Sequence, residues 1–216
     1  MKILNNEKIL CVVGVAGGSC SGKGHLCYHL RAQLTAEHCL IIPMDCYYRD
    51  LSYLSLNERH RSNFDHPDAI DYELFREHLE VLISGGVVYM PLYDFHTHTR
   101  SVSREEIQAR GKVILVDGLF ALYWSEISKL YDLKVFINLD SVICLQRRIK
   151  RDVQYRGRSY LSVKKQYYKT VLPMYEKYIA PTQYHADLSL HGDMPVQESV
   201  RQMLQAINAI SNEGSI

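Results

Sequence analysis

A glycine-rich stretch, GGSCSGKGH at residues 17–25, carries the first recognisable chemistry in this sequence. Its spacing fits the phosphate-binding pattern G-x-x-x-x-G-K-[ST] at Gly17, Gly22 and Lys23. Backbone amides of such a loop and the start of the following helix bind phosphate oxygens, and the lysine adds a positive charge. The pattern breaks at Gly24, because the hydroxyl that normally binds magnesium is missing there. The stretch therefore predicts nucleotide binding with an altered metal site.

The surroundings of this stretch decide between a phosphate loop and a glycine-rich turn with an incidental lysine. A continuous β-branched run, KILCVVGV at residues 8–15, precedes it and is typical of a strand buried on both faces of a parallel sheet. Leu26, Leu30 and Leu34 follow at four-residue intervals and predict a helix over residues 22–38. A strand, a glycine loop and a helix in that order are the context that phosphate binding requires, so we favour the phosphate loop.

Two carboxylates could supply the acid–base and metal chemistry that belongs beside such a loop. Asp45 ends the predicted strand LIIPMD at residues 40–45, and Asp117 stands near the end of KVILVDG at residues 112–118. If these two strands and the first strand are neighbours in one sheet, both acids emerge at the sheet edge that carries Lys23. One acid could take the proton from a substrate hydroxyl, and the other could hold magnesium through water. Turn formation or helix capping is the alternative role for an acid that ends a strand.

These residues are positioned by strands that alternate with helices. A fourth strand is predicted at residues 133–139, and the four strands together predict an α/β fold of three layers with a parallel central sheet. Two stretches interrupt the alternation: residues 46–70 are polar and irregular, and residues 86–100 indicate a short hairpin with Pro91 on an edge strand. We expect both to be inserts beside the carboxyl ends of the strands, where ligands bind in such sheets.

The chain after residue 140 is predicted to be mostly helical. The basic run RRIKRDVQYRGR at residues 147–158 lies on a helix, where it either closes over anionic groups or forms a solvated face. Pro173 is expected to kink or restart the next helix. The segment ADLSL at residues 186–190 predicts a last strand, and VQESVRQMLQAINAI at residues 196–210 predicts an amphipathic end helix.

The composition is that of a globular protein and predicts a single domain over residues 1–216, with 47% hydrophobic and 23% charged residues. A net charge of +1 gives no global attraction for nucleic acid or acidic membranes. No apolar run approaches the roughly 18 residues of a membrane span, and the first apolar run leads straight into the loop, unlike a signal peptide. The six cysteines form no C-x-x-C pair, so we interpret them as free thiols of a cytoplasmic protein.

Five further strings occur in order along the chain: MDCYYRDLS, NFDHPDAID, PLYDFHTHTR, RRIKRDVQYRGR and KYIAPTQYHAD. With the glycine loop, they resemble the uridine kinase (uridine–cytidine kinase) family over about residues 9–187. NFDHPDAID and YDFHTHTR are the specific strings, because the loop alone is shared by many unrelated nucleotide enzymes. The resemblance implies a P-loop kinase-type fold with a small β-hairpin insert and a helical lid at about residues 147–166. It also implies transfer of the γ-phosphoryl of ATP or GTP, with Mg²⁺, to the 5′-hydroxyl of uridine or cytidine.

The resemblance also implies roles for individual residues. Asp45 would be the general base, Lys23 would act at the phosphates, and Asp45 and Asp117 would hold magnesium. Asp65 would bind the ribose 2′- and 3′-hydroxyls. The nucleotide would be bound by the loop and two lid arginines, namely Gly17, Gly18, Ser19, Cys20, Ser21, Gly22, Lys23, Gly24, His25, Arg151 and Arg156. The nucleoside would be bound by Tyr48, Phe64, Asp65, Tyr93, Phe95, His98, Arg148, Arg158 and Gln166, with Tyr93, Phe95 and His98 at the pyrimidine.

The departures from the family pattern lie mainly at the phosphate end. They are Gly24, Asp117 in place of the usual glutamate, and the stretch SLHGDMP at residues 189–195 near the expected adenine site. Three hypotheses stay open: an active pyrimidine nucleoside kinase of pyrimidine salvage with weakened metal affinity, a degenerate relative that binds nucleosides or nucleotides with weak catalysis, and a same-fold kinase for another small hydroxylated substrate. The intact Asp45, Lys23 and lid arginines favour the first. The resemblance further implies a homo-oligomer, a tetramer, and we expect neither nucleic acid nor membrane as a partner.

Overall fold

A five-stranded parallel sheet forms the centre of the fold in the computed structural model, which describes residues 9–213. The strands, in spatial order, are β2 (Cys39–Pro43), β5 (Val113–Asp117), β1 (Cys11–Gly17), β6 (Leu133–Asn138) and β7 (Leu188–His191). The four strands predicted from apolar runs and the last strand predicted at ADLSL are therefore confirmed, although Lys8 of the first run lies outside the described residues.

The helices pack on both faces of this sheet. They are α1 (Lys23–Leu34), α2 (Leu56–Arg59), α3 (Tyr72–Ile83), α4 (Ser125–Ser128), α5 (Ser141–Tyr155), α6 (Tyr160–Gln166), α7 (Leu172–Met174) and α8 (Val196–Glu213), with 3₁₀ turns at Met44–Tyr47, Pro67–Ala69 and Ala180–His185. The predicted end helix is α8. Helix α1 ends at Leu34 and not at residue 38 as predicted, because Thr35 has a φ of +68° and leaves the helical backbone conformation.

Alternation along β1 sends its apolar side chains to two cores, one on each face of the sheet. Val13 and Val15 join the core that contains residues of α1 and α8, whereas Val12 and Ala16 join the core that contains residues of α3. Leu30 of α1 is fully buried, so its replacement by alanine would cost about 2–5 kcal/mol of stability. The strand that leads into the glycine loop is held on both faces, which fixes the point where the loop emerges.

An antiparallel hairpin, β3 (Val87–Asp94) and β4 (Thr99–Gln108), forms a separate two-stranded sheet. The hairpin predicted at residues 86–100 is correct in type but too short, because β4 continues through SREEIQ, whose mostly exposed charged residues show no buried-strand pattern. Pro91 lies beside a register shift in the pairing, as expected for a proline in an edge strand.

The insert at residues 46–70 contains little regular structure. A single antiparallel bridge between Tyr48 and Ile70 closes its two ends, and Ile70 is buried in the core. The insert begins in the 3₁₀ turn that directly follows β2, and Asp45 lies in this turn. The prediction that Asp45 ends the strand is therefore wrong by one short turn, since β2 stops at Pro43.

The basic run at residues 147–158 lies in α5 and the turn that follows it, and α6 completes the segment at about residues 147–166 that was predicted to form a lid. The two helices are joined through Gly157, which has a φ of +62°. Pro173 lies in α7, inside a stretch that stays helical from Tyr160 to Ile179, so the predicted restart of the helix is not observed. Wider π-helical turns at Tyr167–Val171 and Tyr175–Ile179 keep the chain helical on both sides of it.

Two expectations from the composition concern the cysteines and membrane spans. All six cysteines are free thiols, and four of them are buried: Cys11, Cys27, Cys39 and Cys144. Of the helices in residues 9–213, none has the length and apolar character needed to cross a membrane.

Candidate active site

The phosphate loop leaves β1 at Gly17 and enters α1 at Lys23. Gly17 and Gly22 have φ values of +146° and +112°, and a Cβ atom at Gly17 would lie 2.5 Å from the carbonyl oxygen of Ile137. The loop therefore requires glycine at these two positions. The Lys23 ammonium donates to the carbonyl oxygens of Gly17 and Gly18, both at 2.9 Å. The lysine is thus held over the loop at the amino end of α1, where the helix dipole also favours an anion.

A cleft of about 1540 Å³ opens beside this loop, at the carboxyl ends of the strands. Sites for one small molecule typically have about 300–1,000 Å³, so this cleft has room for two ligands. Most of the predicted site residues line it: Ser19, Cys20, Gly22, Lys23, Gly24, His25, Asp45, Tyr48, Phe64, Asp65, Tyr93, Phe95, His98, Asp117, Arg148, Arg151, Arg156, Arg158 and Gln166. Three predicted loop residues do not line it: Gly17 and Gly18, whose carbonyls hold Lys23, and Ser21, whose side chain is fully buried.

The register of the strands brings the two acids to the loop. Strand β5 lies between β1 and β2, and Asp117 is paired with Val15 on one side and with Pro43 on the other. Asp45 follows Pro43 by two residues, so both carboxylates reach the cleft at the edge that carries Lys23. The three strands are neighbours, which is the condition that the sequence prediction required.

Burial raises the pKa of both carboxyls, and Lys23 opposes this effect. For Asp45, burial raises the pKa above its ordinary value, while Lys23, Arg156 and Arg151 lower it. For Asp117, burial raises the pKa to about 6 against a lowering by Lys23 and a further increase from the charge of Asp45. A raised pKa makes Asp45 a better proton acceptor than an exposed aspartate, as a general base requires.

Replacement of Asp117 by asparagine is expected to stabilise the metal-free, ligand-free protein at neutral pH. The Asp117 carboxyl has a higher pKa in the folded state than in the unfolded state, so its contribution to stability is present below about pH 4 and is lost as the pH rises through about 6. Removal of this charge should therefore stabilise by up to about 3 kcal/mol at about pH 7.5, and by little near pH 4. Urea unfolding of Asp117→Asn and the parent in EDTA, at several pH values, measures the difference. If the difference in unfolding free energy between the two proteins did not depend on pH, the raised pKa of Asp117 would be contradicted.

The opposite end of the cleft is lined by aromatic rings. Phe64 stacks on His98 with 4.5 Å between ring centroids and 18° between planes. Tyr48 packs 5.3 Å from both Phe64 and Tyr93, and Tyr93 packs 5.4 Å from Phe95. The Tyr93 hydroxyl is buried and has no hydrogen-bond partner among the described residues. Burial lowers the pKa of His98, so its neutral imidazole can donate at one nitrogen and accept at the other. This end offers aromatic rings for a flat ring to pack against and polar groups that can contact its edge.

A buried ion pair lies between the two ends. Asp65 and Arg148 are both buried, with 3.9 Å between Arg148 Nη1 and Asp65 Oδ1. Burial raises the pKa of Asp65, and the Arg148 guanidinium lowers it. Arg148 Nη1 donates to Ser19 Oγ at 2.8 Å, and its Nη2 donates to Gln166 Oε1 at 3.4 Å. At 3.9 Å the pair is not a hydrogen bond, so the Asp65 oxygens remain available to accept two neighbouring hydroxyls.

Part of the stretch at residues 189–195 lines the cleft, and its Gly192 lies beside the phosphate loop. Arg147 holds it there by donating to the carbonyl oxygen of Gly192 at 2.9 Å and by an ion pair with Asp193 at 3.1 Å. A Cβ atom at Gly22 of the loop would lie 3.7 Å from the same carbonyl oxygen. Arg147 was not predicted as a site residue, because its contacts with Gly192 and Asp193 form only when distant segments of the chain come together.

Two further residues of this region carried no recognisable signal in the sequence. His60 lines the cleft with its ring edge-on to His98, at 5.3 Å between centroids. Asp152 is fully buried beneath the lid arginines. A lone histidine in a polar loop and one acid inside a basic run are ordinary sequence features, and only the folded structure shows what they contact.

The residues beside the loop fit a magnesium ion that binds together with nucleotide phosphates. A Cβ atom at Gly24 would lie 3.0 Å from Asp117 Oδ2, so the carboxylate approaches the space left by the missing side chain. In the described part of the chain, that carboxylate has no hydrogen-bond donor, so it is available as a ligand. Residues 9–213 contain no cluster of three His, Cys, Asp or Glu side chains that could hold a metal alone. Magnesium commonly binds through one or two carboxylates and substrate phosphates, which matches this donor set.

Comparison with known protein families and sequences identifies close relatives. The model of the phosphoribulokinase/uridine kinase family matches residues 12–198. Proteins named uridine kinase from Escherichia fergusonii and Escherichia coli strain K12 are both 41% identical over 181 residues, which cover 82% of this chain and 84% of each relative.

Solved structures show the same fold at lower identity. A putative fructose transport system kinase from a Silicibacter species superposes with a TM-score of 0.70 at 20% identity, covering 88% of this chain and 93% of the other. The phosphoribulokinase from Rhodobacter spheroides gives a TM-score of 0.60 at 17% identity, covering 87% and 71%. A possible uridine kinase from Bacillus stearothermophilus gives 0.52 at 18% identity, covering 83% and 88%. These likenesses establish a P-loop kinase-type α/β fold.

Proposed function

Since the chain belongs to the phosphoribulokinase/uridine kinase family, we propose that it transfers the γ-phosphoryl group of ATP or GTP to the 5′-hydroxyl of uridine or cytidine. The reaction yields the nucleoside monophosphate and serves pyrimidine salvage. Its relatives at 41% identity carry the name uridine kinase, and the matched region covers most of both chains. The chain is therefore assigned as a nucleoside kinase.

The observation that carries this proposal is the joining of two different binding environments in one cleft. One end contains the phosphate loop, Lys23 and two carboxylates, and the other contains stacked aromatic rings and a buried carboxylate, Asp65. The first suits a triphosphate and the second suits a nucleoside. Asp45 lies at the sheet edge beside the loop, and its charge raises the pKa of Asp65. This arrangement suits direct transfer between two ligands bound side by side.

In this proposal the protein side chains orient the acceptor and accept its proton. Asp65 accepts hydrogen bonds from the ribose 2′- and 3′-hydroxyls, and Tyr93 and His98 bond the edge of a pyrimidine that lies against Phe64 and Phe95. Asp45 accepts the proton of the 5′-hydroxyl as that oxygen attacks phosphorus. A neutral imidazole that can donate or accept suits both the carbonyl of uracil and the amine of cytosine at the same position.

The donor nucleotide is bound by backbone amides of the loop, by Lys23 and by the lid arginines Arg151 and Arg156. Arginine guanidinium groups stabilise the charge that spreads over the oxygens of the transferring phosphoryl group. Asp45 and Asp117 would hold magnesium together with the nucleotide, and the ion would neutralise part of that charge. Binding of the nucleotide should survive the absence of a hydroxyl at Gly24, because the loop amides and Lys23 remain.

Gly24→Thr is expected to lower the magnesium concentration for half-maximal rate and to raise the rate by about tenfold or more. A restored hydroxyl would supply the coordination position that water must otherwise fill, and one such contact is worth about 1.5–3 kcal/mol. The new Cβ atom would lie 3.0 Å from Asp117 Oδ2, so this carboxylate must shift by a few tenths of an ångström, which the end of a side chain can do. Magnesium titrations of both proteins at saturating substrates provide the measurement.

Gly24→Ala is the matched control for this substitution. It introduces the same Cβ atom without a hydroxyl, and it stabilises the helix at least as much as threonine does. If alanine and threonine gave equal rates, the gain would come from the helix and not from the metal. If threonine and glycine showed equal magnesium dependence, the site would be adapted to glycine.

A panel of acceptors tests the proposed function against its alternatives. ADP release from ATP is measured with uridine, cytidine, pantothenate and no acceptor. We expect turnover with the two pyrimidine nucleosides at the highest kcat/KM. A preference for pantothenate would instead favour a same-fold kinase for another hydroxylated substrate. If calorimetry showed that uridine binds and the assay showed no turnover, the protein would be a degenerate binding protein. The presence of Asp45, Lys23 and two lid arginines in one cleft argues against that hypothesis.

The family also provides the basis for proposing the setting in which the protein acts. We propose one kinase domain over residues 1–216, a homotetramer, and action in the cytoplasm. The free thiols of all six cysteines are in keeping with a reducing compartment. Sedimentation equilibrium of the purified protein measures the oligomeric state directly.

A further inference from the structure

One buried carboxylate lies at the centre of the arginines on the lid. Asp152 belongs to the last turns of α5 and is fully buried. Four arginines lie within 4.0 Å of its carboxylate: Arg148, Arg151, Arg156 and Arg158. A buried acid is expected only where it is well paired, so the cluster accounts for its burial.

Each oxygen of Asp152 is shared between two arginines. Oδ1 accepts a hydrogen bond from Nε of Arg151 at 2.8 Å, and Nη2 of the same arginine lies 2.8 Å from this oxygen. Nε of Arg156 lies 3.8 Å from Oδ1. Oδ2 lies 3.6 Å from both Nε of Arg148 and Nη1 of Arg158. The carbonyl oxygen of Asp152 also accepts the backbone amides of Arg156 and Arg158, at 3.2 and 3.1 Å. Arg151 is thus the one arginine that is hydrogen-bonded to the carboxylate in the described part of the chain, and the other three lie at ion-pair distance, with Oδ2 lacking a hydrogen-bond partner among the described residues. The carbonyl oxygen of Asp152 holds the backbone path after α5.

The arginines of this cluster extend to both ends of the cleft. Arg148 reaches Asp65 and Ser19, which lie at the nucleoside end and in the phosphate loop. Arg156 lies over the ring of Phe95, at 5.3 Å from its centroid. Four guanidinium groups this close together repel one another, and in a partly buried site this repulsion is only weakly screened. Without the negative charge of Asp152, the arginines would separate.

We propose that Asp152 is a positioning residue that holds the lid arginines at the place of the transferring phosphoryl group and aligns them with the nucleoside end. It touches neither ligand and acts through Arg151 above all, because the two form the shortest contacts of the cluster. This inference rests on the proposed function, since the arginines need a phosphoryl group to act on.

A double-mutant cycle between Asp152 and Arg151 tests the proposal. Asp152→Asn keeps the size of the side chain and removes its charge. We expect its kcat to fall about 10- to 100-fold, the effect of misplacing a group by about 1 Å, with a much smaller change in the KM for uridine. Arg151→Gln should lower kcat at least as far. The double variant should have the kcat of Arg151→Gln within about threefold, because the two residues act as one unit. If the double variant lost kcat by the product of the two single losses, the two residues would act independently and the proposal would be wrong.

The double variant also guards against loss of folding. Removing one partner of a buried ion pair leaves an uncompensated charge, whereas removing an acid and a base together does not change the net charge. We therefore expect Asp152→Asn to have a lower Tm than the double variant. If Asp152→Asn had a lowered Tm and the parent's kcat, its role would be structural and the proposal would be wrong. Asp187→Asn is the control for loss of an ion-paired acid elsewhere, here the partner of Lys134, and should keep the parent's kcat.

A spectroscopic measurement tests the positioning independently of activity. The Nε–H group of Arg151 should give a slowly exchanging side-chain signal in NMR spectra of the parent, because it donates to Asp152. Asp152→Asn should broaden or lose this signal. The Nε–H signal of Arg59, which donates to the carbonyls of Leu51 and Leu54, should persist in both proteins. An unchanged Arg151 signal in the variant would overturn the proposal. A protected signal in a parent protein without turnover would support the positioning and contradict the proposed function.

Discussion

Asp45→Asn is expected to lower the turnover of uridine by about 10²–10⁴-fold, the usual cost of losing a general base, while uridine binding is nearly unchanged. Asparagine has the same size as aspartate but cannot accept the proton of the 5′-hydroxyl. The carboxyl lies in the turn after β2, beside the loop, and burial raises its pKa while Lys23 and Arg156 lower it. The raised pKa makes this carboxylate more basic than that of an exposed aspartate.

A turnover assay and calorimetry with uridine together measure the effect of Asp45→Asn. The calorimetric affinity shows that the variant is folded and that its nucleoside pocket is intact. The pH dependence gives a second check: kcat/KM of the parent should fall as the pH decreases through the raised pKa of Asp45, since only the ionised carboxylate can accept a proton. Turnover within about threefold of the parent would remove Asp45 from the mechanism.

Asp65→Ala is expected to raise the KM for uridine and to reduce the discrimination against deoxyuridine. The buried carboxylate is only loosely paired with Arg148, so it can accept hydrogen bonds from both ribose hydroxyls. A hydrogen bond to a charged group is worth about 1.5–3 kcal/mol, or about 10- to 150-fold in kcat/KM. Deoxyuridine lacks one of the two hydroxyls and should lose less from the substitution.

The ratio of kcat/KM for uridine and deoxyuridine, in the parent and in the variant, is the quantity to measure. Asp68→Ala is the matched control, because Asp68 lies three residues away in the same insert with its side chain 91% exposed. That variant should keep the parent's ratio. If the ratio is the same in Asp65→Ala as in the parent, Asp65 does not read the ribose.

The central sheet and the phosphate loop could be predicted from the sequence because their signals are local. The apolar run of β1, the glycines and the repeated leucines of α1 each define one element, and Asp117 is carried by a similar run. The nucleoside residues gave no such pattern. They were predicted from the family resemblance, and the structure places Phe64 and His98, from its two most specific strings, in direct contact.

The parts of the structure that the sequence did not predict depend on contacts between distant segments. Strand β4 was missed beyond residue 100, since its exposed charged residues look like a loop until they pair with β3. Asp45 lies in a turn because the chain must leave the sheet there to begin an insert. Asp152 reads as one acid among basic residues, and its importance follows only from burial beneath four arginines.

Transfer of a labelled γ-phosphoryl group from ATP to uridine is the most direct test of the assignment as an active nucleoside kinase. The parent protein is incubated with both substrates at saturating magnesium, and the product is identified by chromatography and mass spectrometry. We predict labelled uridine 5′-monophosphate that requires uridine, is slow because Gly24 lacks the hydroxyl, and is nearly abolished in Asp45→Asn. Absence of this product from a protein that binds both uridine and ATP by calorimetry would contradict the assignment.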